Sequence, residues 1–468
     1  MVERHGIIHS SQSTLLIFMR NSFSFRVHKQ RILIILCVFA YSIVFNWTYE
    51  SFVAPIYPFY GLSYNPLSAI SILVSWTVVI IPSIWLPIKF NRPSLLLFYI
   101  QYFIIFIPSV FVLHHVSKPI LHQDEIFKIV FAMFFSLSLM QCVYILPLLK
   151  TNRIKFRFFC MVFFISIAAF VGYILFKLGV NFRIVNFREI YEVRYQMSEI
   201  ISSTGTRFGF YAQTWAAGFF LPVCYALGIL SKRWSIKRWS MIAVVVLGFL
   251  LLFGVGGSKA NLFALVNMTF VYFWLTKFKK YVAPSFILGL TFLLAIPIVM
   301  MPLPPQIFKW YVAVVHFRTF SIPALLIAQY YEFFKNHPLT YMSHVKGVNL
   351  LINYPYDDAY SLIIGNYFYG GPVNANAGFW AGDGLAGFGL DGIIVISIVC
   401  AFIFYILDSV SKPYGIRFVT VAITPAAVFL ANAPLFTTLL SGGLGFLILA
   451  LAFLPREGAF IVAFRTQK

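Results

Sequence analysis

The run ILIILCVFAYSIVF, residues 32–45, contains no charged side chain and few polar ones. A second such run, MIAVVVLGFLLLFGV, covers residues 241–255. A helix needs about 20 mainly apolar residues to cross roughly 30 Å of hydrocarbon, and both runs approach that length. The 468-residue chain is 60% hydrophobic and 10% charged, which leaves too few charges to cover a soluble protein of this size. The sequence therefore predicts an all-α, polytopic membrane protein.

Hydropathy and flanking charge together predict about twelve transmembrane helices. Their predicted centres lie near residues 40, 77, 103, 138, 168, 221, 248, 268, 291, 398, 427 and 447. Both termini then lie on the cytoplasmic side, with residues 1–31 as an N-terminal segment and the rest of the chain as one transmembrane domain. We find no internal repeat of the inverted kind that many secondary transporters carry.

The positive charges follow this topology. A formal net charge of +21 would suggest nucleic acid binding in a soluble domain. Here, however, the basic clusters flank the short loops on one side, as the positive-inside rule expects of cytoplasmic loops. These clusters lie at residues 20–31, 89–92, 150–157, 231–238, 277–280, 412–417 and 456–468. The charge excess therefore predicts orientation and attraction to anionic membrane lipids, with no nucleic acid as partner.

Two long segments are predicted on the outer side, at residues 179–212 and 302–385. Loops beyond about 15 residues are usually functional or disordered, and the many aromatic residues in both argue against disorder. We therefore expect both to fold over the outer face of the bundle. Within the second, FSIPALLIAQYYEFFKNHPLTY (residues 320–341) has the pattern of an amphipathic interfacial helix that ends before Pro338.

Cationic residues on the outer side are candidates for binding phosphate. Arg183, Arg188 and Arg194 lie in the first loop, and a guanidinium fork matches phosphate oxygens. A solvated, salt-bridged loop would carry the same residues. Lys259, in GVGGSKANLFALV, lies where a helix begins, so neighbouring backbone N–H groups would add to an anion site. A lysine that snorkels to the interface is the alternative for that position.

A hydroxyl nucleophile needs a base within hydrogen-bond reach, and His or a carboxylate can serve. The second loop offers several, among them His344 and Asp383, and the residues alone do not rank them. The segment HHVSKPILHQDE (residues 114–125) lacks the spacing of a metal motif. The five cysteines lie inside apolar runs and form no CxxC pair. No Walker loop, DxD or HExxH motif is present, so no nucleotide cofactor is expected, and the His-rich segment gives little support for a metal.

The glycine-rich stretch VNANAGFWAGDGLAGFGLDG, residues 373–392, leads straight into an apolar run. Membranes accommodate irregular backbone only where protein or a water-filled cavity surrounds it. Glycine lets the backbone approach a ligand closely, and Asn374 and Asn376 offer donors and acceptors that suit sugar hydroxyls. A flexible hinge at the start of a helix is the alternative interpretation of the same residues.

Taken together, these features resemble the O-antigen polymerase (Wzy) family of oligosaccharide repeat-unit polymerases. The likeness lies in the many spans, the arginine-bearing outer loop, GSKAN at residues 257–261, and the glycine-rich ending at residues 374–392. The resemblance implies a GT-C-like bundle in the bacterial inner membrane, with its active site facing the periplasm. It also implies that residues 179–212 and 302–385 are periplasmic loops.

The resemblance further implies a reaction. A glycan on undecaprenyl pyrophosphate is transferred to the sugar end of a new lipid-linked repeat unit, building O-antigen or a related surface polysaccharide. The partners expected are the lipid-linked oligosaccharide, membrane lipids and a chain-length regulator protein. The leaving pyrophosphate needs fixed cations, and the acceptor hydroxyl needs a base.

Residue by residue, Lys259 lies where related polymerases and ligases carry Arg or Lys, which implies pyrophosphate binding. Arg188 and Arg194 match the family's outer-loop arginines by position and setting, and Arg183 lies beside them. Asp383 matches an acidic position of the polymerases. The ligases carry a His-Asn pair where this chain has Asn374 and Asn376, so the base stays open between His344 and Asp383.

Two other functions remain as alternatives. An O-antigen ligase would use the same donor with a lipid A core as acceptor. A flippase or transporter of lipid-linked oligosaccharides should carry charged groups in mid-membrane at broken helices. In this sequence the lysines and arginines lie almost wholly at span ends, which favours the transferase.

Overall fold

A computed structural model describes residues 28–149, 213–231, 236–256, 259–371 and 373–453 of the chain. These residues form helices and connecting loops, and no β-strand occurs among them beyond two isolated bridges. The helices are α1 (His28–Val53), α2 (Ala69–Trp85), α3 (Leu95–His115), α4 (Gln123–Cys142), α5 (Gln213–Leu230), α6 (Ile236–Gly256), α7 (Lys259–Lys277), α8 (Val282–Met300), α9 (Pro305–Asn336), α10 (Tyr360–Tyr369), α11 (Trp380–Ser411), α12 (Ile416–Leu430), α13 (Leu435–Leu440) and α14 (Leu444–Phe453).

Within the described residues, seven helices are long and apolar enough to cross a membrane: α1, α3, α4, α5, α8, α9 and α11. Large apolar side chains remain exposed on the helices, such as Phe402 with 61% of its surface accessible, as expected for a lipid-facing surface. These features confirm the prediction of an all-helical, polytopic membrane protein. Each predicted span centre falls within a helix, except the one near residue 168, which lies outside the described residues.

The first four helices alternate in direction. Arg31, near the start of α1, donates to the carbonyl of Leu86, just after α2, at 3.1 Å. At the opposite end, Ser63 donates to the carbonyl of His115, the last residue of α3, at 2.9 Å. We call the end where α1 and α3 finish and α4 begins the upper end, and the other the lower end. By the positive-inside rule, the lower end is the predicted cytoplasmic side.

Helix α9 begins and finishes at the upper end. Near its start, the ring of Phe308 lies 5.5 Å from that of Phe52, close to the end of α1. Near its finish, Lys335 pairs with Glu125, in the first turn of α4, at 2.6 Å. The predicted amphipathic helix near residues 320–341 is thus the second half of a longer one. The segment predicted as an outer loop is therefore largely helical.

Between its two ends, α9 dips into the bundle. Phe320, at mid-helix, packs 6.3 Å from Phe45, about two turns below the end of α1. A π-helical stretch at Ala313–Ser321, followed by Pro323, occupies the middle of this helix. A π-helical insertion and a proline both interrupt regular α-helical hydrogen bonding and allow a bend. Helix α9 is long enough to span a membrane, yet the contacts of Phe308 and Lys335 show that both of its ends lie at the upper end.

Helix α11 is folded back on itself. Its backbone breaks at Phe388 (φ −140°, ψ 21°) and Gly389 (φ 65°, ψ −145°), a left-handed position that glycine tolerates. The short limb, residues 380–387, lies antiparallel to the long limb, residues 390–411. A Cβ on Gly392 would lie 2.0 Å from the carbonyl oxygen of Gly384, so the limbs approach to backbone contact. Glycine at these positions is what lets the two limbs touch.

The lower end is tied together by a buried polar cluster. Asp408, near the end of α11, accepts the backbone N–H of Ser94 at 3.0 Å and its hydroxyl at 2.7 Å. Arg92 lies 3.9 Å from Asp408 and donates to the carbonyls of Val143 (2.9 Å) and Leu146 (2.6 Å). The cluster therefore joins the start of α3 to the ends of α4 and α11.

Candidate functional site

His344 and Asp383 meet below the upper end. His344 Nε2 lies 3.2 Å from Asp383 Oδ1, although the residues lie on separate segments of the chain. The Asp383 side chain is fully buried, and that of His344 is 9% exposed. A buried carboxylate is costly unless it is paired and hydrogen-bonded. The two candidates that the sequence left open as alternative bases therefore form one His344–Asp383 pair.

Asp383 uses both of its carboxylate oxygens. Oδ1 faces His344, and Oδ2 accepts the backbone N–H of Leu435, the first residue of α13. Asp383 itself lies in a π-helical turn, Trp380–Leu385, within the short limb of α11. Such turns are frequent at functional sites. With no exposed surface and both oxygens occupied, Asp383 can orient and charge-stabilise His344, but it cannot contact a substrate.

The break in α11 positions His344. The N–H of Thr340 donates to the carbonyl of Ala386 at 2.8 Å, and the N–H of Tyr341 donates to that of Gly387 at 3.1 Å. A regular helix would use such carbonyls internally, so the break leaves them available. Tyr341 and Met342 have positive φ values of 45° and 66°. Backbone strain of this kind persists where the surroundings fix it, often at functional sites.

Thr340 also contacts the other ring nitrogen of His344. Its Oγ1 lies 3.0 Å from His344 Nδ1 and 2.9 Å from the carbonyl oxygen of Ala386. Thr340 is fully buried. Both ring nitrogens of His344 therefore have a partner in this structure, Asp383 at Nε2 and Thr340 at Nδ1.

Tyrosines form one wall of the site. The ring of Tyr360 stands edge-on to that of His344, with 5.0 Å between centroids. Burial raises the pKa of Tyr360 well above its usual value. The hydroxyl of Tyr354 accepts the N–H of Tyr360 at 2.8 Å, and burial raises the pKa of Tyr354 to about 12. Both phenols are therefore neutral at physiological pH, so the acidic group in contact with the His344 ring is Asp383.

The two predicted sugar-binding amides flank Ala375, which anchors a non-helical segment. Ala375, between them, is buried: its N–H donates to the carbonyl of Ser361 at 2.9 Å, and its own carbonyl accepts the Tyr330 hydroxyl at 2.8 Å. Asn374 and Asn376 are both exposed. Asn376 Nδ2 donates to the carbonyl of Asn432 at 2.9 Å, which leaves its carbonyl oxygen for other partners.

The predicted cations cannot be placed in the site. Arg183, Arg188 and Arg194 lie outside the described residues. Lys259 is the first residue of α7, and its side chain is likewise outside them. Among the described residues, no group of three His, Cys, Asp or Glu side chains is arranged to hold a metal ion.

Sequence reasoning missed Thr340, Tyr360 and the N–H of Leu435. A buried threonine and tyrosine carry no pattern that separates them from ordinary core residues. The threonine lies four residues before His344, but nothing in that spacing predicts its second contact with Ala386. No family model, no curated protein and no solved structure matches the chain.

Proposed function

We propose that the protein is a membrane glycosyltransferase that polymerises lipid-linked oligosaccharide repeat units, an O-antigen polymerase of the bacterial inner membrane. The observation that carries the proposal is the His344–Asp383 pair, nearly buried beneath one end of a bundle of membrane helices. A histidine held by a carboxylate is a common general base, and a site at the membrane surface suits a lipid-linked substrate. The sequence resemblance to the polymerases supports the same reaction.

The reaction forms one bond and breaks one. The acceptor sugar's hydroxyl oxygen attacks the anomeric carbon of the donor glycan. The bond from that carbon to the pyrophosphate oxygen breaks, and undecaprenyl pyrophosphate leaves with the electron pair. His344 takes the hydroxyl proton, and Asp383 stabilises the imidazolium that forms. Lys259, Arg183, Arg188 and Arg194 are proposed to hold the pyrophosphate, where fixed positive charge stabilises the leaving group.

His344, rather than Asp383, is the proposed base because its side chain retains some exposure. Asp383 occupies Nε2, so Nδ1 is the atom that exchanges the proton. At rest Nδ1 faces the buried Thr340 hydroxyl, and the acceptor hydroxyl reaches it only when the turn at residues 340–344 shifts locally. Catalytic hydrogen bonds are often completed only in the substrate complex. Asn374 and Asn376 are proposed to orient sugar hydroxyls at the approach.

The test is elongation of purified lipid-linked repeat units by the protein in liposomes. His344→Ala is expected to lower the rate at least about 100-fold, in the range of lost general-base catalysis. His337→Ala is the matched control: it removes a nearby histidine that stacks on Phe333, 4.0 Å between centroids. Longer glycans with release of undecaprenyl pyrophosphate from the parent protein support the polymerase.

Other outcomes separate the alternatives. Transfer to a lipid A core without elongation would identify a ligase. Movement of the lipid-linked unit across the bilayer without new glycosidic bonds would identify a flippase. Elongation that His344→Ala leaves intact would remove the His344–Asp383 pair from the mechanism.

A further inference from the structure

The Thr340 hydroxyl lies within hydrogen-bond distance of two groups. Oγ1 lies 3.0 Å from His344 Nδ1 and 2.9 Å from the Ala386 carbonyl oxygen. A hydroxyl has one hydrogen to donate and two lone pairs to accept with. Thr340 can therefore donate to either neighbour from a single position of its oxygen. Which one receives the hydrogen depends on whether Nδ1 already carries a proton.

With neutral His344, Nε2–H donates to ionised Asp383, and Nδ1 carries a lone pair. The Thr340 hydroxyl then donates to Nδ1. With protonated His344, Nδ1–H donates to Thr340 Oγ1, and the threonine hydrogen turns toward Ala386. Nδ1 is hydrogen-bonded in both states, and the change needs only a rotation about the Cβ–Oγ1 bond.

The carbonyl of Ala386 can receive this second hydrogen because of the break in α11. It already accepts the N–H of Thr340 at 2.8 Å, and a carbonyl oxygen has two lone pairs. The break at Phe388 and Gly389 interrupts the regular helix just beyond Ala386. The break in α11 thus leaves the Ala386 carbonyl free to accept the Thr340 N–H. The same carbonyl can also accept the Thr340 hydroxyl when His344 is protonated.

We propose that Thr340 is a positioning residue that keeps His344 Nδ1 hydrogen-bonded in both of its protonation states. The role of Thr340 in catalysis rests on the proposed function, whereas its hydrogen bond to His344 Nδ1 does not. A buried N–H without an acceptor is costly, and most costly on a charged ring. Once the turn at residues 340–344 has returned to its resting position, Thr340 therefore stabilises the imidazolium left by proton transfer, without holding the ring in that state.

The groups around the ring are consistent with this role. Asp383 bonds Nε2 and supplies the countercharge. Tyr360 presents its ring edge and remains neutral. Lys346 lies two residues further along the same segment and is exposed. Only Thr340 contacts Nδ1 among these groups, so a substitution there changes one hydrogen bond of the ring.

The experiment compares Thr340→Val with Thr340→Ser. Valine keeps the shape and the backbone bond to Ala386 but can neither donate nor accept, whereas serine retains the hydroxyl. The first readout is ¹⁵N NMR of histidine-labelled protein in nanodiscs between pH 5 and 8, assigned by loss of the His344 signals in His344→Ala. In Thr340→Val, half-protonation of the His344 ring is expected at a pH lower by roughly one unit, because the charged form loses the stronger bond. Thr340→Ser should titrate like the parent.

The second readout is the pH profile of elongation. Thr340→Val is expected to turn over about tenfold more slowly, with its acid limb shifted to lower pH, and Thr340→Ser should restore both. A purely structural role would lower the amount of folded protein without moving that limb. Identical ring titrations in all three proteins would overturn the proposal. If His344→Ala still elongates glycans, the proposed function fails at this residue, and the NMR comparison still decides the role of Thr340.

Discussion

Gly384 and Gly392 touch through their backbones where the two limbs of α11 fold together. A Cβ added at Gly392 would lie 2.0 Å from the carbonyl oxygen of Gly384 and 2.7 Å from its carbonyl carbon. No flexible side chain can yield there, because the obstructing atoms belong to the main chain. Because neither glycine has a side chain, the short limb that carries Asp383 can pack directly against the long limb.

Gly392→Ala is expected to destabilise the protein by about 1–3 kcal/mol, the usual range for overpacking. It should also lower elongation, because Asp383 lies next to Gly384 on the displaced limb. The measurement is thermal unfolding in detergent together with elongation in liposomes. Gly289→Ala in α8 is the matched control, since a Cβ there meets nothing within 4 Å. Equal stability of the two variants would show that the limbs do not pack closely.

Asp383→Asn is expected to slow elongation by about 100-fold or more, because a neutral amide cannot stabilise the imidazolium of His344. Asparagine has nearly the same shape and can still accept the N–H of Leu435. Asp391→Asn changes an exposed carboxylate in the same glycine-rich stretch and should leave the rate unchanged. Initial rates of glycan elongation measure both. Comparable rates for the two variants would exclude Asp383 from proton transfer.

Asp408→Ala is expected to destabilise the protein by about 3–5 kcal/mol, because it leaves the buried Arg92 guanidinium without its countercharge. The side chains of the pair are 10% and 0% exposed. Lys335→Ala breaks a pair in which the lysine side chain is 46% exposed and screened by solvent, so it should destabilise the protein much less than Asp408→Ala does. Thermal unfolding in detergent compares them. A small loss in Asp408→Ala would mean that the lower-end cluster contributes little.

Lys259→Cys is expected to react with a membrane-impermeant maleimide in intact spheroplasts, in a background without the native cysteines. The proposed pyrophosphate site requires this residue at the periplasmic surface. Lys280→Cys, in the loop before α8, should react only after the cells are lysed. Labelling of Lys259→Cys only after lysis would reverse the orientation and remove Lys259 from the proposed site.

Much of the fold could be predicted from the sequence, because an apolar run of sufficient length has few alternatives to a membrane helix. The turning of α9 back to its starting end could not be predicted. Its length and composition fit a crossing helix, and only the contacts of Phe308 and Lys335 reveal that both ends share one side. Such contacts are long-range and leave no periodic signal in the chain.

The residues of the site could be predicted as candidates, but their arrangement could not. His344 and Asp383 were candidates because their side chains can accept protons, yet no local pattern brings them together. Their meeting depends on the break at Phe388 and Gly389, which supplies carbonyl groups for the turn before His344. The glycine-rich stretch indicated irregular backbone, but not that one limb would fold against the other.

The hydrogen bond from Leu435 to Asp383 has a consequence for biosynthesis. A nascent chain that has been inserted through α11 already contains His344, but Asp383 still lacks the N–H that satisfies its second oxygen. The carboxylate gains that partner only once α13 has been synthesised and has packed against the short limb of α11. We therefore expect truncation before residue 435 to yield a membrane-inserted but inactive protein, so that the His344–Asp383 pair becomes functional only after α13 has been made.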